Sequence, residues 1–114
     1  MPDYVPKRGD LIWLSFDPQA GHEQAGRRPA FVLSPEPYNR KTGLFLACPV
    51  TSKIKGYPFE VPLPPGLPVA GVILADQIKS LDWKIRSAEY AVGVPEETIG
   101  EVVARVLPLI GDED

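Results

Sequence analysis

Apolar residues in this chain gather in short runs. The clearest are 11–16, 30–33, 44–50 and 59–63, rich in β-branched and aromatic side chains. Each is bounded by Gly, Pro, Asp or Asn, which interrupt regular structure, so each predicts a strand. Gly9-Asp10 leads into the first, and Arg40-Lys41-Thr42-Gly43 leads into the third. Segment 70–92 is less simple, because Leu74, Ile78, Leu81 and Ile85 fall at helical spacing. Gly71, Val72 and Ile73 weigh against a helix, and the expectation is one strand over 71–80 and another over 88–93. The C-terminus carries the clearest helix signal. Pro95 suits a first helical position, and Glu96 and Glu97 complement the positive end of the helix dipole. Ile99, Val102, Val103 and Val106 then form one apolar stripe, before Pro108 and Gly111 end the helix.

Proline sharpens this picture. It supplies 14 of 114 residues, well above the usual share of about 5%. Lacking an N–H, it interrupts helices and central strands alike. Only windows 69–94 and 96–107 are free of it for the length of an ordinary helix, which excludes helical bundles and coiled coils. The pattern predicts a mainly β fold in a single domain over 1–114: a small antiparallel sheet curled into a partial barrel and capped by the C-terminal helix.

Composition narrows the function classes. The single cysteine, Cys48, excludes an internal disulfide and a Cys-based zinc site. No apolar run reaches the roughly 18 residues that cross a membrane. The N-terminus lacks the basic and apolar regions of a signal peptide, so a cytoplasmic location is expected. The net charge of −3 is unevenly spread: residues 1–55 carry eight Lys/Arg and five Asp/Glu, residues 56–114 four and ten. The basic first half weakens the objection that an acidic chain should not bind nucleic acid.

Candidate chemistry lies in three polar stretches. Segment 17–29 is long for a hairpin and holds His22, Glu23, Arg27 and Arg28. A second corner, Thr51-Ser52-Lys53-Ile54-Lys55-Gly56, follows the third strand. Asp76-Gln77-Ile78-Lys79-Ser80 makes a third group. Each residue also has an ordinary reading: solvated arginines, a Glu23–Arg pair, turn-forming Thr51 and Ser52, and Asp76 and Gln77 as polar positions on a half-buried strand. No phosphate-cradling glycine loop, nucleophile elbow or zinc motif is present in the sequence.

The ordered motifs decide between these readings. Gly9-Asp10-Leu11-Ile12-Trp13, Phe16-Asp17-Pro18 and Glu23-Gln24-Ala25-Gly26-Arg27-Arg28-Pro29-Ala30 resemble the N-terminal signature of the MazF/PemK/Kid toxins. Pro49-Val50-Thr51-Ser52, Gly56-Tyr57-Pro58-Phe59 and Ala75-Asp76-Gln77-Ile78-Lys79-Ser80 follow in the same order. The chain closely resembles the MazF branch from about residue 4 to 111.

The resemblance implies an SH3-like antiparallel barrel with a C-terminal helix, the fold shared with CcdB, assembled as a homodimer. It also implies a sequence-selective, metal-independent and ribosome-independent endoribonuclease acting on single-stranded RNA without a cofactor. A MazE-like antitoxin would inhibit it through an acidic C-terminal segment. Arg28 and Thr51 match the family's main catalytic residues, and Glu23 a glutamate associated with activity. His22 matches a histidine of the Kid branch, although Leu74 stands where that branch has a further arginine. Glu23, His22 and Arg28 all stay open as general base or acid. Gln24, Ser52, Lys53, Lys55, Asp76 and Gln77, with His22, supply donors and acceptors for reading bases. The rival class is a non-catalytic, CcdB-like module that poisons a protein target such as gyrase.

Overall fold

The computed structural model describes residues 4–15 and 27–111. Among them are seven strands and two helices: β1 Asp10–Ser15, β2 Arg27–Val32, α1 Glu36–Thr42, β3 Leu44–Thr51, β4 Glu60–Pro62, β5 Val72–Leu74, β6 Lys79–Asp82, β7 Glu89–Gly93 and α2 Glu96–Ile110. The sheet runs β4-β5-β3-β2-β1-β7, with β6 also on β3, and every pairing is antiparallel. The mainly β architecture with a C-terminal helix therefore matches the expectation.

Strand alternation sends successive side chains to opposite faces, and here both faces are covered. One face gathers Leu11, Phe31, Cys48, Val50 and Ile73 against Val102 and Val106 of α2. The other gathers Ile12, Leu14, Ala30, Val32, Phe45 and Ala47 around Trp83. Two-sided burial is why the runs read as nearly continuous apolar stretches. The predicted α2 stripe does face the core: Val102 and Val106 are buried, and Ile99 and Val103 pack against them.

Three expectations change. The single strand over 71–80 is two strands. β3 pairs Leu44–Ala47 with β6 and Val50–Thr51 with β5, and the two registers differ by three residues. Those extra residues leave the sheet as a turn around Ala75–Ile78, which puts Asp76 and Gln77 on a corner. Second, proline does not bar helix as widely as expected. α1 is a single short helix with Pro37 in its first turn, where no N–H partner is needed. α2 begins after Pro95, which serves as its N-cap residue, and runs through Pro108 to Ile110. Third, Pro49 sits inside a central strand. The Leu46 carbonyl accepts from Leu33 N–H on the β2 side. Alternation therefore aims the missing Pro49 donor at the gap between β6 and β5, where no ladder bond is lost.

Two positions hold the corners. Asn39, fully buried on α1, donates through Nδ2 to the Pro6 carbonyl at 2.8 Å and the Ser34 carbonyl at 3.0 Å. Its Oδ1 accepts from Ser34 Oγ at 2.6 Å, and its carbonyl accepts from Trp83 Nε1 at 2.9 Å. This one side chain joins the N-terminal segment and the β2–α1 corner. Gly71 has φ +124, and a Cβ there would lie 2.1 Å from the Thr51 carbonyl oxygen. The chain entering β5 passes so close to the end of β3 that only glycine fits.

Asn39→Ala should lower unfolding free energy by about 2 kcal/mol, since it strands several buried partners, as measured by urea denaturation. Gly71→Ala should cost about 2–4 kcal/mol. It should also shift the amide resonances of Thr51 and Ser52 while leaving those of α1 unchanged.

Candidate active site

Arg28 and Thr51 come from strands adjacent in the sheet. β2 and β3 pair Ala30 with Pro49, Phe31 with Cys48 and Val32 with Ala47. Beyond the Ala30–Pro49 pair, Arg28 on β2 and Thr51 on β3 both lie toward the same end of the two strands. They line one groove of about 460 Å³ with Trp13, Ser52, Lys53 and Val69.

Arg28 is exposed, and its side chain makes no hydrogen bond or ion pair with another described residue. Its planar fork of donors suits an oxyanion. Thr51 is half-buried, and its Oγ1 accepts from Lys53 N–H at 3.1 Å. With that lone pair occupied, its own O–H can point into the groove.

Thr51 and Lys53 also line a second recess of about 310 Å³, completed by Lys55, Tyr57, Glu60, Leu74 and Gln77. The two spaces adjoin at Thr51 and Lys53 and make a trough in two parts at the end of β3. Its outer wall is the 52–59 loop, held by side chains. Glu60, buried on β4, accepts from Lys55 N–H at 3.1 Å and Gly56 N–H at 3.0 Å, a charge-assisted pair. Tyr57 O–H donates to Asp76 Oδ2 at 2.9 Å, and this bond to a carboxylate raises the phenol's pKa. Arg105 of α2 donates to the Pro58 carbonyl at 3.1 Å. Arg28, Lys53 and Lys55 outnumber Glu60, the carboxylate that lines the trough among the described residues, while Arg27 is paired with Glu89, so the lining is cationic in an acidic chain.

Of the residues predicted from sequence, Arg28, Thr51, Ser52, Lys53, Lys55 and Gln77 line the trough. Asp76 stands behind it, bracing Tyr57 with one oxygen. Its Oδ1 is buried with no hydrogen-bond partner among the described residues. His22, Glu23 and Gln24 lie outside the described residues. Sequence reasoning missed Trp13, Tyr57, Glu60 and Leu74 as parts of this wall. Tyr57 carried a signal, an aromatic close to Lys53 and Lys55. Glu60 carried another, a carboxylate within an apolar run. Cys48 is no nucleophile here: burial, with Asp76 adding to it, pushes its thiol up to about 12.

The chain matches a family described as the PemK-like, MazF-like toxin of type II toxin–antitoxin systems, over residues 7–110. It is 53% identical over 108 residues to the endoribonuclease toxin MazF of Escherichia coli K12, covering 95% of this chain and 96% of that protein. To the endoribonuclease PemK of Escherichia coli it is 36% identical, covering 91% of this chain and 81% of PemK. Among solved structures, MazF of Deinococcus radiodurans superposes with a TM-score of 0.85 at 58% identity, covering 96% of this chain and all of that one. A MazE–MazF complex from the same organism gives a TM-score of 0.87 at 51% identity, covering 97% of this chain and 100% of the matched chain. On this likeness of sequence and fold, the chain belongs to the PemK-like, MazF-like toxins of type II toxin–antitoxin systems and is an endoribonuclease of that family.

Proposed function

We propose that the trough binds single-stranded RNA and that cleavage proceeds by attack of the substrate's own 2′-OH on the adjacent phosphorus. The O2′–P bond forms, the P–O5′ bond breaks, and the products carry a 2′,3′-cyclic phosphate and a 5′-hydroxyl. The observation that carries this reading is that Arg28, whose guanidinium has no partner among the described residues, and Thr51 line one groove.

Three tasks follow from the chemistry. The 2′-OH must lose its proton, the leaving 5′-oxygen must gain one, and the phosphorane's extra charge must be balanced. Arg28 meets the last with two parallel N–H donors aimed at non-bridging oxygens, a fixed array that needs no reorganisation as charge develops. Thr51 adds one hydroxyl donor to the same phosphate. Proton transfer falls to Glu23, His22 or Arg28. None of these steps needs a metal or cofactor, so cleavage should persist in EDTA.

Ser52, Lys53, Lys55, Tyr57 and Gln77 flank the phosphate position. They would take neighbouring phosphates and splayed bases, giving sequence selectivity. The cationic trough equally suits the acidic C-terminal segment of a MazE-like antitoxin. A homodimer fits the apolar end of α2, where Leu107, Leu109 and Ile110 stand exposed. Cellular mRNA as substrate would locate the action in the cytoplasm.

In EDTA, wild type should cleave a long single-stranded RNA and leave 5′-hydroxyl ends. Arg28→Ala should lower kcat by about 100- to 1000-fold, the usual cost of one preorganised oxyanion donor. Thr51→Val should lower it by about 10- to 100-fold, the worth of one hydrogen bond to a charged group. Both variants should keep the wild-type Tm, since neither side chain is in the core. Equal cleavage by wild type and Arg28→Ala would refute the assignment. Growth arrest by Arg28→Ala with RNA intact would point to a protein target instead.

A further inference from the structure

Arg27 and Arg28 are neighbours on β2 and take opposite sides of it. Arg28 has no partner among the described residues, whereas Arg27 is heavily engaged. Its Nη2 donates to Glu89 Oε1 at 3.0 Å, and its Nη1 donates to Ser15 Oγ at 3.0 Å and reaches the Arg86 carbonyl at 3.5 Å. These acceptors come from three places: the end of β1, the corner before β7, and the first residue of β7. Ser15 is itself bolted to that corner. Its N–H donates to the Arg86 carbonyl at 2.9 Å, and its own carbonyl accepts from Arg86 Nη1 at 3.1 Å.

Ser15 and Arg27 form the last pair of the β1–β2 ladder among the described residues, next to the pair that sets Arg28 against Leu14. The Arg27–Glu89 pair, with side chains 36% and 72% exposed, should add no more than about 1 kcal/mol to stability. Three acceptors drawn to one exposed guanidinium therefore do little for stability, and what they fix is the geometry of the strand end.

We infer that Arg27 is a positioning residue for the cleavage reaction. By bracing the Ser15–Arg27 pair against Glu89 and the Arg86 corner, it holds the Arg28 backbone and so aims the Arg28 guanidinium. The inference rests on the assignment of Arg28 to the scissile phosphate. A rival role follows from the same placement, because Arg27 also borders the groove and could be a phosphate contact that Glu89 holds back. The two differ in sign at Glu89. If Arg27 is a brace, removing Glu89 loosens it and slows turnover. If Arg27 is an RNA contact, removing Glu89 releases a cation and tightens binding.

Steady-state RNA cleavage by wild type, Arg27→Gln, Glu89→Gln and the double variant separates them. Amide exchange over 12–15 and 27–30 is measured on the same proteins. Each single variant should lose about 3- to 10-fold in kcat with KM little changed, as expected for a displaced catalytic group. The double variant should be no slower than the slower single, because both act through one network. Exchange in the two segments should quicken in every variant while Tm stays within about 3 °C of wild type. A lower KM for Glu89→Gln would overturn the inference. So would a raised KM with a flatter salt dependence for Arg27→Gln, or kcat unchanged in both singles. If wild type itself does not cleave RNA, the phosphate assignment fails by that result, and unaltered exchange in the variants separately overturns the brace.

Discussion

The pairing of β3 governs the rest of this structure. One of its edges is taken by β2, and its other edge must serve two strands, β6 and β5, in registers three residues apart. No continuous strand can satisfy both, so the intervening residues are pushed out of the sheet as a corner. That corner carries Gln77 to the rim of the trough and sets Asp76 behind it. The same arrangement leaves Thr51 at the very end of β3, crossed closely by Gly71, where it shares a groove with Arg28 of β2. The candidate site is a consequence of how one strand divides its hydrogen bonds, and proline at 49 is tolerated because the division leaves a gap there.

Much of this was legible from local pattern. The strands at 10–15, 44–51 and 60–62 appear as apolar runs because both faces of the sheet are covered. α2 appears because its stripe is long enough to show a period. The split of 71–80 could not be read that way, since a register offset is a property of two strands together and leaves no mark on either alone. Asn39 was equally hidden: its bonds to Pro6, Ser34 and Trp83 are announced by nothing near it in sequence. The helix around it was overlooked because Pro37 counted against it, although a first-turn proline costs a helix nothing.

The site was legible differently. Residue type and loop length alone left Arg28 and Thr51 as ordinary surface residues, and only the ordered motifs singled them out. The fold supplies the physical reason, adjacent strands β2 and β3 whose ends line one groove. Tyr57 and Glu60 were missed because their roles are supportive. One latches the 52–59 loop to the 76 corner, and the other fills the backbone donors of Lys55 and Gly56. The loop they hold carries Lys53 and Lys55, which with Arg28 let an acidic chain present a basic surface to a polyanion.

The central claim is that Arg28 and Thr51 converge on a single phosphate. It is tested most directly by a crystal structure of the protein with an uncleavable RNA, 2′-deoxy at the scissile nucleotide. The account predicts an Arg28 guanidinium nitrogen and Thr51 Oγ1 each within about 3 Å of non-bridging oxygens of the same phosphate. Contact with phosphates of two different nucleotides, or an RNA path that leaves Arg28 in solvent, would contradict it.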